Sequence, residues 1–280
     1  FGLLEPADYD KVRRSDSGRT LAEHIDDLGF DSDALKSGKV FLSPDQIECY
    51  IEVHIEQGPI LQNAGLSLGV VTGIRGNLRY RYCQVNGAYS HAGGVPRKFR
   101  RDAVFGFVEF AHFVESNCLK LEENGADIVF TVGEAYTDSA NHAITKVPGQ
   151  VDFKMDLRSI NNNTLLKLDQ DLRAEADRIS IKRGITVDLG DVSNAQPAIM
   201  NEHLRANFHT QLNKLSIPTM DMGSGGGHDC AVFAGQGIKS AMLFIRNDGG
   251  SHNPDEAMEL EDFSRATDVL SGLLIEEFCC

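Results

Sequence analysis

Hydrophobic and polar positions change period along this chain, and each change marks an element. Ile51, Val53 and Ile55 fall on one face of an alternating run, and Glu52, His54 and Glu56 on the other, which predicts a half-buried strand. Gly58-Pro59 stops it. Residues 1–40 are polar and mixed in charge, but Thr20 and Glu23 have capping-box spacing, so a short helix is expected from Leu21. Another helical turn is expected over 32–37 and a brief helix over 60–64, broken by Gly65. The run 67–73 is apolar and β-favouring, and Gly73 with Gly76 reads as a hinge.

Beyond the hinge the register changes. Strands are predicted at 78–85, 128–134, 150–157 and 185–189. A helix over 101–117 carries Val104, Phe107, Val108 and Ala111 on one stripe. A longer helix over 163–183 carries Leu165, Leu168, Leu172, Ala176 and Ile179 on its inner face, and Gly184 stops it. The order β-α-β-β-α-β describes a ferredoxin-like sandwich, two helices on a four-stranded antiparallel sheet. The remainder returns to α/β: helices at 203–215, 230–234 and 260–278, strands from 218 and at 240–245, and loops at 223–229 and 249–254. The expected organisation is an α/β domain in two parts, 1–73 and 188–280, with an α+β domain inserted at 74–187.

Composition narrows the function classes. The chain has 280 residues, 41% hydrophobic and 24% charged, as an ordinary globular protein has. Its net charge of −14 argues against nucleic acid or an anionic membrane as partner. No apolar run approaches the ~20 residues of a membrane helix. Six scattered cysteines show no C-x-x-C spacing, and the adjacent Cys279-Cys280 is not a disulfide framework. A reducing, cytoplasmic compartment is expected.

Four histidines stand out. His54 and His252 each follow a strand, so both would lie at strand carboxyl ends, where two imidazoles on one sheet edge can share a metal. Each also has a plainer reading, as a cap on its own loop. His91 and His228 lie in loops beside glycine or serine. The glycine-rich 223–227 is not a phosphate loop, because His228-Asp229 follows where Lys-Ser/Thr is required. Arg158, at a strand end, has the fork geometry for a substrate carboxylate.

His54-Ile55-Glu56-Gln57-Gly58-Pro59 resembles the H-I-E-Q-G-P motif of the hydantoinase/carbamoylase branch of the M20 metallopeptidase family. Further motifs follow in order: Val70-Val71-Thr72-Gly73-Ile74, Ser90-His91-Ala92-Gly93 with Pro96 and Arg100-Arg101-Asp102-Ala103, Val147-Pro148-Gly149, and Asp156-Leu157-Arg158-Ser159. Ser224-Gly225-Gly226-Gly227-His228-Asp229 and Ser251-His252-Asn253-Pro254 with Glu256 complete the set.

The resemblance implies an α/β metal-dependent hydrolase domain with an inserted lid through which the chain forms homodimers. It implies that His54 and His252 are two ligands of a centre of two divalent ions (zinc, manganese or nickel). His91 would be the lid histidine that crosses to the partner's site and stabilises the oxyanion. Arg158 would grip a small-molecule carboxylate substrate, with Gln57 and His228 lining its pocket. Thr145 stands where the family usually has a substrate-orienting asparagine. The implied chemistry is hydrolysis of a carbamoyl or ureido C–N bond in an N-carbamoyl amino acid, allantoate or ureidoglycolate. Phe1-Gly2-Leu3 resembles the sequence that follows the family's Glu-Glu pair, so the chain is expected to lack the N-terminal ligands and general base. Those groups would come from a longer parent or a separate chain. The alternative is a catalytically inactive dimerisation or carboxylate-binding protein derived from that family.

Overall fold

The computed structural model describes residues 1–279, so the expectation about Cys279-Cys280 falls partly on Cys280, outside them. The first stretch holds helices α1 (Asp8–Lys11), α2 (Leu21–Asp27) and α3 (Ser32–Lys36), strand β1 (Tyr50–Ile55), helix α4 (Ile60–Ala64) and strand β2 (Leu68–Ile74). The middle stretch begins with β3 (Gly76–Asn86), β4 (Ser90–His91), α5 (Ala103–Glu123), β5 (Val129–Thr137) and β6 (Lys146–Val147). It continues with β7 (Gln150–Ser159), α6 (Asn162–Arg183), β8 (Thr186–Asp188) and β9 (Val192–Ala195). The last stretch holds β10 (Ala198–Ile199), α7 (Glu202–Lys214), β11 (Thr219–Ser224), α8 (Asp229–Gly235), β12 (Ser240–Ile245) and α9 (Leu260–Phe278).

These elements make a mixed α/β two-domain architecture built on two main sheets. In the first sheet, β12 lies between a parallel β1 and an antiparallel β2, while β11 and β10 also pair with β2. Every residue of β12 is buried, as a strand covered on both faces requires. Ala241, Leu243 and Ile245 pack with Leu204, Phe208 and Leu212 of α7 and with Ala266, Val269 and Leu273 of α9. Met242 and Phe244 face the opposite way, onto Leu61 of α4 and Cys230 of α8.

The second sheet has the order β5-β7-β3-β8, with β9 alongside β3. Strand β7 alternates between half-buried and buried, and Val151, Phe153, Met155 and Leu157 face the core. Helix α6 buries Leu165, Leu168, Leu172, Ala176 and Ile179, the face its period predicts. Helix α5 is turned from its expected stripe: Ala103, Gly106, Phe110, Val114 and Cys118 are buried, while Val108 is half exposed. The cause is closeness of approach. A Cβ on Gly106 would stand 2.3 Å from Ile185 Cδ1, so the small residues mark the contact line and the bulky ones flank it.

Close packing also accounts for the glycines read as a hinge. A Cβ on Gly73 would lie 3.0 Å from the Ala198 carbonyl, and one on Gly76 would lie 2.5 Å from that of Ala195. The chain leaves the first sheet and returns to it through this crossing, where only a bare backbone fits at Gly76. The Thr20–Glu23 capping box forms as expected, with Thr20 N donating to Glu23 at 2.6 Å and Glu23 N to Thr20 Oγ1 at 3.2 Å. No helix among the described residues is long and apolar enough to cross a membrane.

Helices α5 and α6 are tied by one carboxylate. Glu109 accepts from Lys182 at 2.7 Å, Arg178 at 2.7 Å and Arg183 at 2.6 Å. These partners, Lys182 foremost, hold its carboxyl down at about 2. A depressed carboxyl adds stability that is complete above its usual 4.5 and is lost as pH falls toward 2. Glu109→Gln is therefore expected to lower stability by about 1–2 kcal/mol at pH 7, a modest figure because its partners are solvent-screened. The deficit should shrink as the pH falls toward 2. Urea denaturation at pH 7 and pH 3 checks this, and a variant as stable as the parent at pH 7 would remove the ion-pair account.

Candidate functional site

Strand β1 presents Glu52, His54 and Glu56 on its polar face, and the two carboxylates are already committed. Glu56 accepts from the backbone N–H groups of Ile60 and Leu61, both at 2.8 Å, and so closes the start of α4. Glu52 accepts from Cys230 N at 2.7 Å, at the start of α8. His54 stands between them with Nδ1 2.7 Å from the Ile55 carbonyl. A carbonyl can only accept, so Nδ1 carries the proton and Nε2 is left as a free lone pair.

The loop after β11 brings His228 to this face. Its side chain is almost fully enclosed, with Nδ1 3.6 Å from Glu52 Oε1 and Nε2 2.7 Å from Ser224 Oγ. The rings of His54 and His228 meet edge to face at 4.7 Å, and Phe244 lies beneath His228. Burial first, and the neighbouring His54 second, push the His228 imidazole down to about 4, so it is neutral at ordinary pH. Glu52, His54 and His228 form a partial metal-binding cluster, their donor atoms within 4.8 Å of one another. The three donors are not equally free: Glu52 and His228 face each other, whereas His54 Nε2 is uncommitted.

The cluster opens on a cleft of about 540 Å³ between the two sheets. Arg75, at the crossing between the sheets, and Asn77, Arg79 and Arg158 of the second sheet form part of its wall. Arg75 is paired to Asp127 through Nε at 2.9 Å. Arg79 and Arg158 share a single carboxylate, Asp156, at 3.3 and 2.7 Å. Two guanidiniums on one carboxylate leave one positive charge over on this wall, facing the carboxylates of Glu52 and Asp229 on the other. Arg158 also donates to the Gly225 carbonyl, joining the second sheet to the glycine-rich loop that follows β11 of the first.

The sequence-derived candidates fall into three places. His54, His228 and Arg158 share the cleft. Gln57 and His252 form a second place, with Gln57 Nε2 3.3 Å from His252 Nε2. Both have left-handed backbones, φ 60° and 59°, as Ser216 beyond the end of α7 also has, a conformation that costs a non-glycine residue on the order of 1 kcal/mol. Gln57 also borders the first place, since a Cβ on Gly226 would lie 3.3 Å from both Gln57 Oε1 and His228 Nε2. His91 and Thr145 form the third place, on the β4–β6 ladder, where Ala92 N donates to the Thr145 carbonyl at 2.9 Å. His91 Nδ1 accepts from Gly93 N and Gly94 N at 3.1 and 2.9 Å, so its proton sits on Nε2, pointing outward. Neither residue lines the cleft of its own chain.

Sequence reasoning passed over Glu52, Arg75 and Arg79. Glu52 was within reach, since it shares the face of His54 two residues away. Arg79 lies directly opposite Asp156 in the β3–β7 register, and that register becomes visible only once the strands pair.

Known proteins resemble this chain over nearly its whole length. A profile of peptidase family M20/M25/M40 matches residues 17–276. The chain is 31% identical to allantoate amidohydrolase of Escherichia coli K12, over 99% of this chain and 64% of that protein. It is 30% identical to N-carbamoyl-L-amino-acid amidohydrolase of Pseudomonas sp. NS671, over 98% of this chain and 65% of that one. The chain thus spans a little under two thirds of the length of these relatives. The crystal structure of an amidase of the hydantoinase/carbamoylase family from Burkholderia multivorans superposes with a TM-score of 0.82 at 26% identity, over 97% of this chain and 63% of that one. On these grounds the chain belongs to peptidase family M20/M25/M40, in its hydantoinase/carbamoylase branch.

Proposed function

We propose that the protein is a metal-dependent amidohydrolase cleaving a linear carbamoyl or ureido C–N bond in a small carboxylate substrate. An N-carbamoyl amino acid, allantoate or ureidoglycolate fits this description. One observation carries the reading: a metal-capable cluster and an arginine pair that shares a single carboxylate face each other across one cleft. A carboxylate held at Arg158 and Arg79 would extend its other end toward His54.

The residues divide the work as follows. His54, through its free Nε2, and His252 are the metal ligands of this reading, within a centre of two zinc, manganese or nickel ions. When bound, such a pair polarises the substrate carbonyl and lowers the pKa of a water. Gln57, held at His252, and neutral His228 line the pocket and orient the ureido group by hydrogen bonds. Arg158 binds the carboxylate, and the Thr145 hydroxyl offers it one more hydrogen bond. His91, with its outward Nε2–H, donates to the carbonyl oxygen as negative charge develops there.

His91 and Thr145 stand away from their own cleft, which supports a homodimer in which each lid serves the other chain. In this reading residues 1–73 and 188–280 are the catalytic domain and 74–187 a ferredoxin-like lid, with Gly73 and Gly76 near the crossing. Five free cysteines support placing the protein in the cytoplasm. A second reading, a catalytically silent carboxylate-binding or dimerisation protein, is favoured by one fact: Glu52 and His228 already have protein partners without a metal, Glu52 in Cys230 N and His228 in Ser224 Oγ.

Elemental analysis after mild dialysis separates the two. The hydrolase reading expects about two metals per chain, and His54→Ala should lower metal retention about tenfold or more. Near-zero metal would mean that this chain is inactive alone and that the hydrolase reading belongs to a longer parent or an assembled complex, whereas stable dimers that bind carboxylate with neither metal nor turnover would favour the silent reading. Arg158→Ala is expected to raise KM for the carboxylate substrate about tenfold or more, and Arg158→Lys should not restore it, since an ammonium cannot replace the fork. Steady-state kinetics on an N-carbamoyl amino acid and on allantoate check this, and an unchanged KM would remove Arg158 from the substrate site.

A further inference from the structure

The lid carries a second cavity, of about 500 Å³, whose charge is opposite to that of the molecule as a whole. Its wall is formed by Arg97, Lys98, Arg100, Asp102, Phe105, Lys182 and Arg183. Five cations thus face one carboxylate in a chain whose net charge is −14.

The surplus survives once internal partners are subtracted. Asp102 is the N-cap of α5 and accepts from Val104 N at 3.1 Å and Phe105 N at 3.2 Å. Lys182 and Arg183 share Glu109 with Arg178. Arg100 donates only to neutral carbonyls, those of Val95 at 2.9 Å and Ala92. The Arg97 side chain has no hydrogen bond or ion pair, and that of Lys98 only lies over the ring of its neighbour Phe99. Subtracting Asp102 and Glu109 from the five cations leaves about three positive charges, a concentration that like-charge repulsion disfavours unless an anion offsets it.

The wall also has an apolar part. Phe105 is 58% exposed and is the one aromatic ring lining the cavity. An open ring beside unpaired arginine and lysine offers a flat group one surface and a phosphate chain another. The volume is larger than an inorganic phosphate fills.

We propose that this basic cavity of the lid is a binding site for a nucleotide-sized polyphosphate anion. The phosphates meet Arg97, Lys98 and Arg100, with Lys182 and Arg183 behind them, and the ring stacks on Phe105. The site lies apart from the cleft, and no residue lines both.

The test is calorimetric titration of the purified protein, at low salt and without added metal, with ATP, inorganic tripolyphosphate and adenosine. ATP is expected to bind more tightly than tripolyphosphate, with both weakened by salt and adenosine not binding. Arg97→Gln with Lys98→Gln should weaken ATP and tripolyphosphate about tenfold or more. Both side chains are exposed and free of ionic partners, so the fold should be unaffected. Phe105→Ala should weaken ATP but leave tripolyphosphate unchanged. Absence of ATP binding, or ATP binding indifferent to the double variant, would overturn the site. Equal ATP affinity in Phe105→Ala and the parent would overturn its assignment to a ring-bearing ligand.

Discussion

The first backbone N–H groups of a helix have no partner inside the helix, and much of this protein's site follows from how two of its helices solve that problem. Both borrow a carboxylate from the same strand. Glu56 closes α4 and Glu52 reaches α8, in charge-assisted bonds stronger than those between neutral groups. The arrangement fixes the distance of each helix from β1. It also leaves His54, between the two acids, as the polar residue of β1 with a ring nitrogen to spare. Gly58 belongs to the same device, because a Cβ there would lie 2.8 Å from Glu56 Oε1.

A second constraint joins the two sheets. Asp127 accepts from Arg75 at 2.9 Å and from Ile160 N at 2.9 Å, while Ser159 Oγ donates to the Asp127 carbonyl at 2.6 Å. These bonds sit beside the glycine crossing and set how the arginines of the second sheet face the histidines of the first. Arg158 extends this contact to the Gly225 carbonyl. The cleft is therefore shaped by polar contacts across the junction rather than by either hydrophobic core. A ligand that competes for Arg158 would loosen one of the ties between the sheets.

The extent to which the sequence foretold this depended on the range of each interaction. The inner face of α6 was legible because a 3.6-residue period is local, and so was the Thr20–Glu23 box. The rotation of α5 was not, because it depends on Ile185 standing over Gly106, a contact made only after folding. At the site, the strand-end histidines and Arg158 were legible from position and motif. Glu52 was visible as part of a polar face, but its commitment to Cys230, 178 residues away, was not. The Arg75–Asp127 pair, 52 residues apart, likewise follows from how the sheets meet.

The sharing of Asp156 by Arg79 and Arg158 has a consequence for how ligands arrive. From a distance an anion meets a molecule of charge −14 and is repelled; at the arginine wall of the cleft it meets two guanidiniums that share one carboxylate. The two fields have different reach. At physiological ionic strength the distant one fades within about 8 Å, while the near one acts at contact. Dissolved salt would weaken the barrier more than the trap, so the approach of a carboxylate should quicken with modest salt, the reverse of what an attracting protein shows its ligand.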